Sequence, residues 1–175
     1  MNETTVAQER ILLAILVVLG VLLHRVEALL PLPTPWIKLG LANIMTMIAL
    51  VFLGAGAAFT VTLLRIFLGS LLGGTFLGPT FFLSLAGGLA AWAVMALVYR
   101  RKNTVGVSLV GVSVLSAYAH TGAIFICVYF LFIHQEIFLK LLPFFFMVAL
   151  VTGVLTGIVA NRVAHHLIRE KIFAG

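Results

Sequence analysis

Five polar residues, each within or beside a long apolar run, are the strongest candidates in this sequence for binding a ligand. They are Arg65, Asn43, Thr75, Ser84 and His120. Arg65 is the most informative, because it lies in the middle of the apolar run 57–72, where a charged side chain costs about 2.5–3.5 kcal/mol on membrane-insertion scales. A guanidinium offers a planar set of donors that suits a phosphate or a carboxylate. An arginine paired inside a helix bundle is an equally good explanation from the sequence alone.

The other four residues would complete a polar lining for a small molecule with a polar head. Asn43 and Thr46 are three residues apart, so they share a face if their segment is helical. Each of these residues alone is more often one that packs or bonds within its own helix bundle. The ligand-binding interpretation therefore depends on their coming together in space.

Signals of catalysis are weak throughout the sequence. The chain has no aspartate, and its five glutamates lie near the termini or near expected loops. Magnesium-dependent diphosphate chemistry uses carboxylates to hold the metal, and no glycine-rich nucleotide-binding loop ending in Lys-Ser/Thr is present. We expect no catalytic residues and no metal ligands, and a chain that is not itself an enzyme. The adjacent His165 and His166 are expected in a solvated tail.

The composition indicates which kind of structure must position the candidate residues. The chain has 175 residues, of which 63% are hydrophobic and 9% charged, whereas a soluble domain carries about 25% charged residues. Lipid must therefore surround the chain, and continuous apolar runs predict helices rather than a barrel. The net charge of +6 lies mainly at helix ends, which the positive-inside rule and anionic lipids explain better than nucleic acid does.

The apolar runs predict an all-α, polytopic membrane protein, a bundle of six transmembrane helices in a single domain, 1–175. The expected spans are 11–30, 36–53, 57–72, 81–99, 113–133 and 142–160. Residues 73–79, rich in glycine and proline, predict a loop or re-entrant turn. We also expect a short interfacial helix at 105–112 and an amphipathic surface helix in the tail, 161–175.

The distribution of cationic residues predicts the orientation. With six spans, one side holds seven lysines and arginines (Arg10, Arg100, Arg101, Lys102, Arg162, Arg169 and Lys171), and the other holds three (Arg25, Lys38 and Lys140). The side with the larger number is expected to be cytoplasmic. This places both termini of a multi-pass cell-membrane protein in the cytoplasm.

Arg65 must face the bundle interior, because its side chain cannot readily reach either interface from mid-span. No aspartate can pair with it, and Glu27 is expected to lie far from its depth. The predicted acceptors are backbone carbonyls freed at residues 73–79, side-chain oxygens, water or an anionic ligand. Gly153 and Gly157 form a GxxxG pattern, for which packing within the bundle is favoured over docking of another subunit.

Four segments together resemble a known family. They are PTPWIKLGLAN at 33–43, LRIFLGSLLGGT at 64–75, FLSLAGG at 82–88 and AHTG at 119–122. Their order and spacing resemble the Gx transporter family, also called heptaprenyl diphosphate synthase component I. That family resembles the substrate-binding S components of energy-coupling-factor (ECF) transporters. The resemblance implies six helices, a vitamin or precursor bound from outside, and docking on a membrane coupling subunit that works with ATPases.

Three functions remain open from the sequence. The first is a membrane substrate-binding subunit of an ECF-like transporter for a vitamin-like or anionic small molecule, with Arg65 meeting its negative group. The second is a membrane subunit of an electron-transfer system, with a quinone bonded by His120 or Tyr118, or a flavin attached to Thr75. The third is a noncatalytic component of prenyl diphosphate synthesis. No cofactor is required by the sequence, and flavin and quinone are the two that the resemblance implies for an electron-transfer subunit.

Overall fold

A computed structural model describes residues 3–30, 39–101, 106–131 and 140–170 of the chain. The described residues form six α-helices and no strand. The helices are α1 (Glu3–Leu29), α2 (Leu41–Phe52), α3 (Gly54–Leu72), α4 (Pro79–Arg100), α5 (Leu109–Leu131) and α6 (Leu142–Arg169). The predicted all-α fold, a six-helix membrane bundle, is confirmed.

Five of the six described helices are long and apolar enough to cross a membrane, and α2 is the exception. With 12 residues, α2 is about 18 Å long at about 1.5 Å per residue, against a hydrocarbon thickness of about 30 Å. Within the described residues α2 begins at Leu41, directly after Gly40, whose φ is 75°. Residues 36–38 of the expected span 36–53 lie outside the described residues. Most of α2 is buried, from Ala42 to Leu50, so protein rather than lipid surrounds it.

Three other helix boundaries differ from the sequence expectation. Helix α1 begins at Glu3, well before residue 11. No separate interfacial helix occupies the described part of 105–112, because α5 begins at Leu109 and continues without a break. Likewise α6 continues to Arg169 instead of giving way to a surface helix after residue 160. No glycine or proline interrupts 161–169, and Ala164 is buried, so tertiary packing extends the helix. The tail residues 171–175 lie outside the described residues.

The helices alternate in direction along the chain. Helix α1 packs on α2 and α3, α3 on α4, α4 on α5 and α5 on α6, while α6 returns to contact α2. One end of the bundle therefore holds the ends of α1, α3 and α5 and the beginnings of α2, α4 and α6. We call it the Glu27 end, and the opposite end the Arg100 end.

Apolar residues occupy both the interior and much of the surface. Met47, Ile48 and Val61 are almost fully buried in the main core, whereas Ile11, Val18 and other large apolar side chains of α1 are about half exposed. Exposed apolar faces on long helices are what lipid requires. The chain is thus a multi-pass helical membrane protein, and its surroundings are a lipid bilayer.

The GxxxG pattern of α6 is used inside the bundle, as the sequence favoured. A Cβ atom added at Gly157 would lie 2.8 Å from Ser113 Cβ and 2.9 Å from Val110 Cα. Added at Gly153, it would lie 2.9 Å from Val114 Cα. The two glycines therefore let α5 and α6 approach closely.

Substitution of Gly157 tests this close approach. We expect Gly157→Ala to destabilise the protein by about 1–3 kcal/mol, because the added methyl group overpacks the α5–α6 contact. Gly122→Ala is the matched control, since a Cβ there meets nothing within 4 Å. Thermal unfolding in detergent should show a lower midpoint for the first variant only. Equal midpoints for the two variants would contradict the assigned packing.

Candidate functional site

A polar cavity lies inside the bundle towards the Glu27 end, and five of the six helices contribute side chains to it. Its lining residues are His24, Glu27, Gly40, Asn43, Arg65, Ile66, Ser84 and His120. We call it the Arg65 cavity. Its volume is about 10 Å³, which is about the space that one water molecule needs.

Arg65 faces the bundle interior, as predicted, and is only 5% exposed. Its Nη2 donates a hydrogen bond to Asn43 Oδ1 over 2.5 Å. The acceptor is thus a side-chain oxygen from α2, one of the predicted kinds, and not a carbonyl of the 73–79 turn. Gly20 of α1 lies against the arginine stem, where an added Cβ would be 3.5 Å from Arg65 Cβ and Cδ.

The Nε atom of Arg65 is buried and has no hydrogen-bond partner within the described part of the chain. Most buried polar groups in proteins are satisfied, so each exception requires an explanation. The residue that carries this unsatisfied donor also lines the cavity.

The expectation that Glu27 lies far from Arg65 is wrong. Glu27 is 6% exposed, lines the same cavity, and attracts the guanidinium electrostatically. Its Oε1 also accepts the backbone N–H of Gly40 over 2.6 Å. The sequence argument compared backbone depths alone and left out the reach of the two side chains.

Two histidine rings reach the cavity because glycines leave room for them. An added Cβ at Gly69 would lie 2.6 Å from His24 Cδ2, and one at Gly87 would lie 2.8 Å from His120 Nε2. The sequence placed His120 in the site but not His24. The sequence feature that could have indicated His24 is its spacing from Glu27, because residues three apart share one helix face.

Four of the five expected site residues come together, since Asn43, Arg65, Ser84 and His120 all line the cavity. Ser84 is buried, and its hydroxyl donates to Thr80 O of its own helix over 2.7 Å. Thr75 is not among the lining residues. It lies in the α3–α4 turn, where its N–H donates to Ser70 O and its own carbonyl accepts from Gly78. Its role as a ligand residue or flavin attachment point stays a prediction.

A second small cavity continues the polar region between α5 and α6. It shares Gly40, Asn43 and His120 with the first and adds the hydroxyl residues Ser113, Ser116, Thr121, Thr152 and Thr156. Ser113 Oγ and Thr156 Oγ1 are 3.1 Å apart. Tyr118, the alternative quinone partner, lines neither cavity, and its ring packs edge-on against Phe146. Within the described residues, no group of three His, Cys, Asp or Glu side chains could hold a metal ion.

In a comparison with protein-family models, residues 16–163 match the family described as heptaprenyl diphosphate synthase component I. The chain belongs to this family. The assignment expected from the sequence motifs is thereby confirmed. No curated protein and no solved structure matches the chain.

The match covers every residue of the Arg65 cavity and of the second small cavity beside it. Both cavities therefore lie in the part of the chain that matches the heptaprenyl diphosphate synthase component I family. The description of the family names a synthase component and no ligand or partner for these residues.

A double-mutant cycle tests the coupling between Glu27 and Arg65. Glu27→Gln keeps an oxygen that can accept from Gly40 but removes the negative charge, and we expect a loss of about 1–3 kcal/mol of stability. Arg65→Met should destabilise by a similar amount. The double variant should lose clearly less stability than the two single variants together, because neither charge is then left without its partner.

Unfolding in detergent provides the measurement for this cycle, with Glu9→Gln as control because Glu9 lies on the same helix and is exposed. The control should match the wild-type protein. Strictly additive losses at Glu27 and Arg65 would show that the two charges do not stabilise each other.

Proposed function

We propose that the chain is the substrate-binding membrane subunit of a transporter similar to ECF systems, taking up a vitamin-like or anionic small molecule. The observation that supports this most is Arg65, a buried arginine that lines a polar cavity and whose Nε–H has no acceptor within the described residues. A buried donor with no partner is costly, and a ligand oxygen would satisfy it.

The charges around the cavity narrow the ligand class. Glu27 attracts the guanidinium, so the positive charge of Arg65 is already partly balanced. A multiply charged anion such as a diphosphate gains less electrostatic binding energy beside an arginine that is already paired with a carboxylate than beside an unpaired cation. The donor arrangement favours a single carboxylate or a carbonyl oxygen at Arg65, with Asn43, Ser84 and His120 able to bond the remaining polar atoms.

The small volume implies that ligand entry involves movement. A cavity of about 10 Å³ holds about one water molecule, whereas pockets for small organic ligands span about 300–1,000 Å³. The helix ends around the cavity must therefore separate when a ligand enters from the Glu27 end. With the predicted orientation, this end faces outward, and the Arg100 end faces a cytoplasmic coupling subunit and its ATPases.

Identification of a retained ligand tests the proposal directly. The protein is purified in mild detergent, extracted, and the extract examined by mass spectrometry; the molecule found is then titrated back. We expect Arg65→Lys to weaken its binding at least about tenfold, because lysine keeps the charge but has neither an Nε–H nor a planar donor set.

Arg100→Lys is the matched control, because Arg100 is exposed and lies at the other end of the bundle. It should bind like the wild type. Equal binding by the Arg65→Lys variant would exclude Arg65 from the ligand site.

The family description favours a second candidate, a noncatalytic component of prenyl diphosphate synthesis. A prenyltransferase holds diphosphate through metal ions bound by carboxylates, and this chain contains no aspartate. In this role it would serve as the membrane partner of a soluble subunit that supplies those carboxylates.

Affinity purification from native membranes distinguishes the two candidates. The transporter proposal predicts recovery with a membrane coupling subunit and ATPases, and the second candidate predicts recovery with a carboxylate-rich soluble synthase subunit. Recovery of the synthase subunit in stoichiometric amounts, without ATPases, would replace the first proposal by the second.

A further inference from the structure

A third cavity, at the Arg100 end, is much larger than the Arg65 cavity and shares no residue with it. Its volume is about 170 Å³, comparable to an engineered protein cavity of about 150 Å³ that binds benzene. Its lining residues are Val51, Tyr99, Val107, Leu109, Val112, Asn161, Ala164, His165 and Ile168. We call it the Tyr99 cavity.

The ends of four helices form the walls of this cavity. Val51 belongs to the last turn of α2 and Tyr99 to the last turn of α4, whereas α5 contributes residues at its beginning and α6 contributes residues from Asn161 to Ile168. The chain reverses after α2 within a single residue, Leu53. Because α6 runs on to Arg169, its final turns extend the wall of the cavity on one side.

The lining is mainly apolar and carries no acidic residue, lysine or arginine. Six of the nine residues are aliphatic, and the polar ones are Tyr99, Asn161 and His165. These three side chains can donate hydrogen bonds to carbonyl or hydroxyl oxygens, and a neutral ligand would lose no ionic hydration on entry. Binding sites for small organic ligands combine apolar walls with a few polar groups in this way.

The cavity is accessible from one side. Of the lining residues, His165 and Ile168 are exposed, whereas Val112 and Ala164 are buried. The exposed Arg100 and Arg101 follow Tyr99 directly, and cationic residues at a helix end mark the membrane interface. An amphiphilic molecule dissolved in the bilayer can therefore reach the opening at headgroup depth.

We infer that the Tyr99 cavity binds an uncharged ring compound with hydrogen-bonding oxygens, of the quinone, quinol or phenol class. Its volume fits one ring, its walls fit the apolar body of that ring, and Tyr99, Asn161 and His165 fit the oxygens. This binding is separate from the proposed Arg65 site and does not depend on it.

The test uses duroquinone as the probe and durene as its counterpart. Durene has the same methyl-substituted ring without oxygens, and the fully substituted duroquinone ring does not add to the thiol of Cys127. The intact protein in nanodiscs is titrated while imidazole resonances are followed by NMR. We expect saturable shifts of His165 with duroquinone, and about tenfold weaker binding of durene, which loses two hydrogen bonds.

Adjacent histidines provide the matched variants. His165→Ala should weaken duroquinone binding about threefold to tenfold, whereas His166→Ala should leave it unchanged, since His166 is exposed and does not line the cavity. Ala164→Leu should fill part of the cavity and abolish binding while unfolding cooperatively like the wild type. If that variant does not fold, Asn161→Leu replaces it, with weaker duroquinone binding expected.

Three results would overturn the inference. They are the absence of saturable shifts at His165, equal affinity for durene and duroquinone, and equal effects of the His165→Ala and His166→Ala variants. None of them bears on Arg65, so failure here is distinguishable from failure of the transporter proposal.

Discussion

The buried positive charge of Arg65 is the constraint on which the rest of the bundle depends. In an apolar interior a charge must be compensated and hydrogen-bonded nearby. Asn43 and Glu27 do this from α2 and α1, which fixes the relative positions of three helices. Glu27 has a second task, because its carboxylate accepts the Gly40 N–H at the beginning of α2, where the helix dipole also favours negative charge. One carboxylate thus stabilises both a guanidinium and a helix terminus.

Polar rings in the interior also require glycines on the helices that pack against them. Rings as large as imidazole fit between packed helices only where the neighbouring residue lacks a side chain, as Gly69 and Gly87 do. Gly69 and Gly87 account for two of the glycines in the sequence segments around Arg65 and Ser84. Their role is to admit His24 and His120, while Gly157 serves the separate contact between α5 and α6.

The sequence predicts the features that arise from strong, local physical effects. Continuous apolar runs predict the membrane helices, and the cost of a charge at mid-membrane predicts that Arg65 faces inward. The short α2 and the proximity of Glu27 to Arg65 could not be predicted, because both depend on Gly40 and on how far long side chains extend in the folded bundle. The sequence does not indicate the Tyr99 cavity either, because it does not show that packing of Ala164 prolongs α6.

Helices α2 and α5 contribute to cavities at both ends of the bundle, and this connects the two proposed sites mechanically. Asn43 of α2 lines the Arg65 cavity, and Val51 lines the Tyr99 cavity, about 12 Å apart along the helix at about 1.5 Å per residue. A short, buried helix moves as a rigid unit, because its side chains interdigitate with neighbours on all sides. The ligand proposed for the Arg65 cavity would bond both Arg65 and Asn43, and would therefore act on the beginning of α2. Any resulting shift of α2 would carry Val51 with it and so change the shape of the Tyr99 cavity.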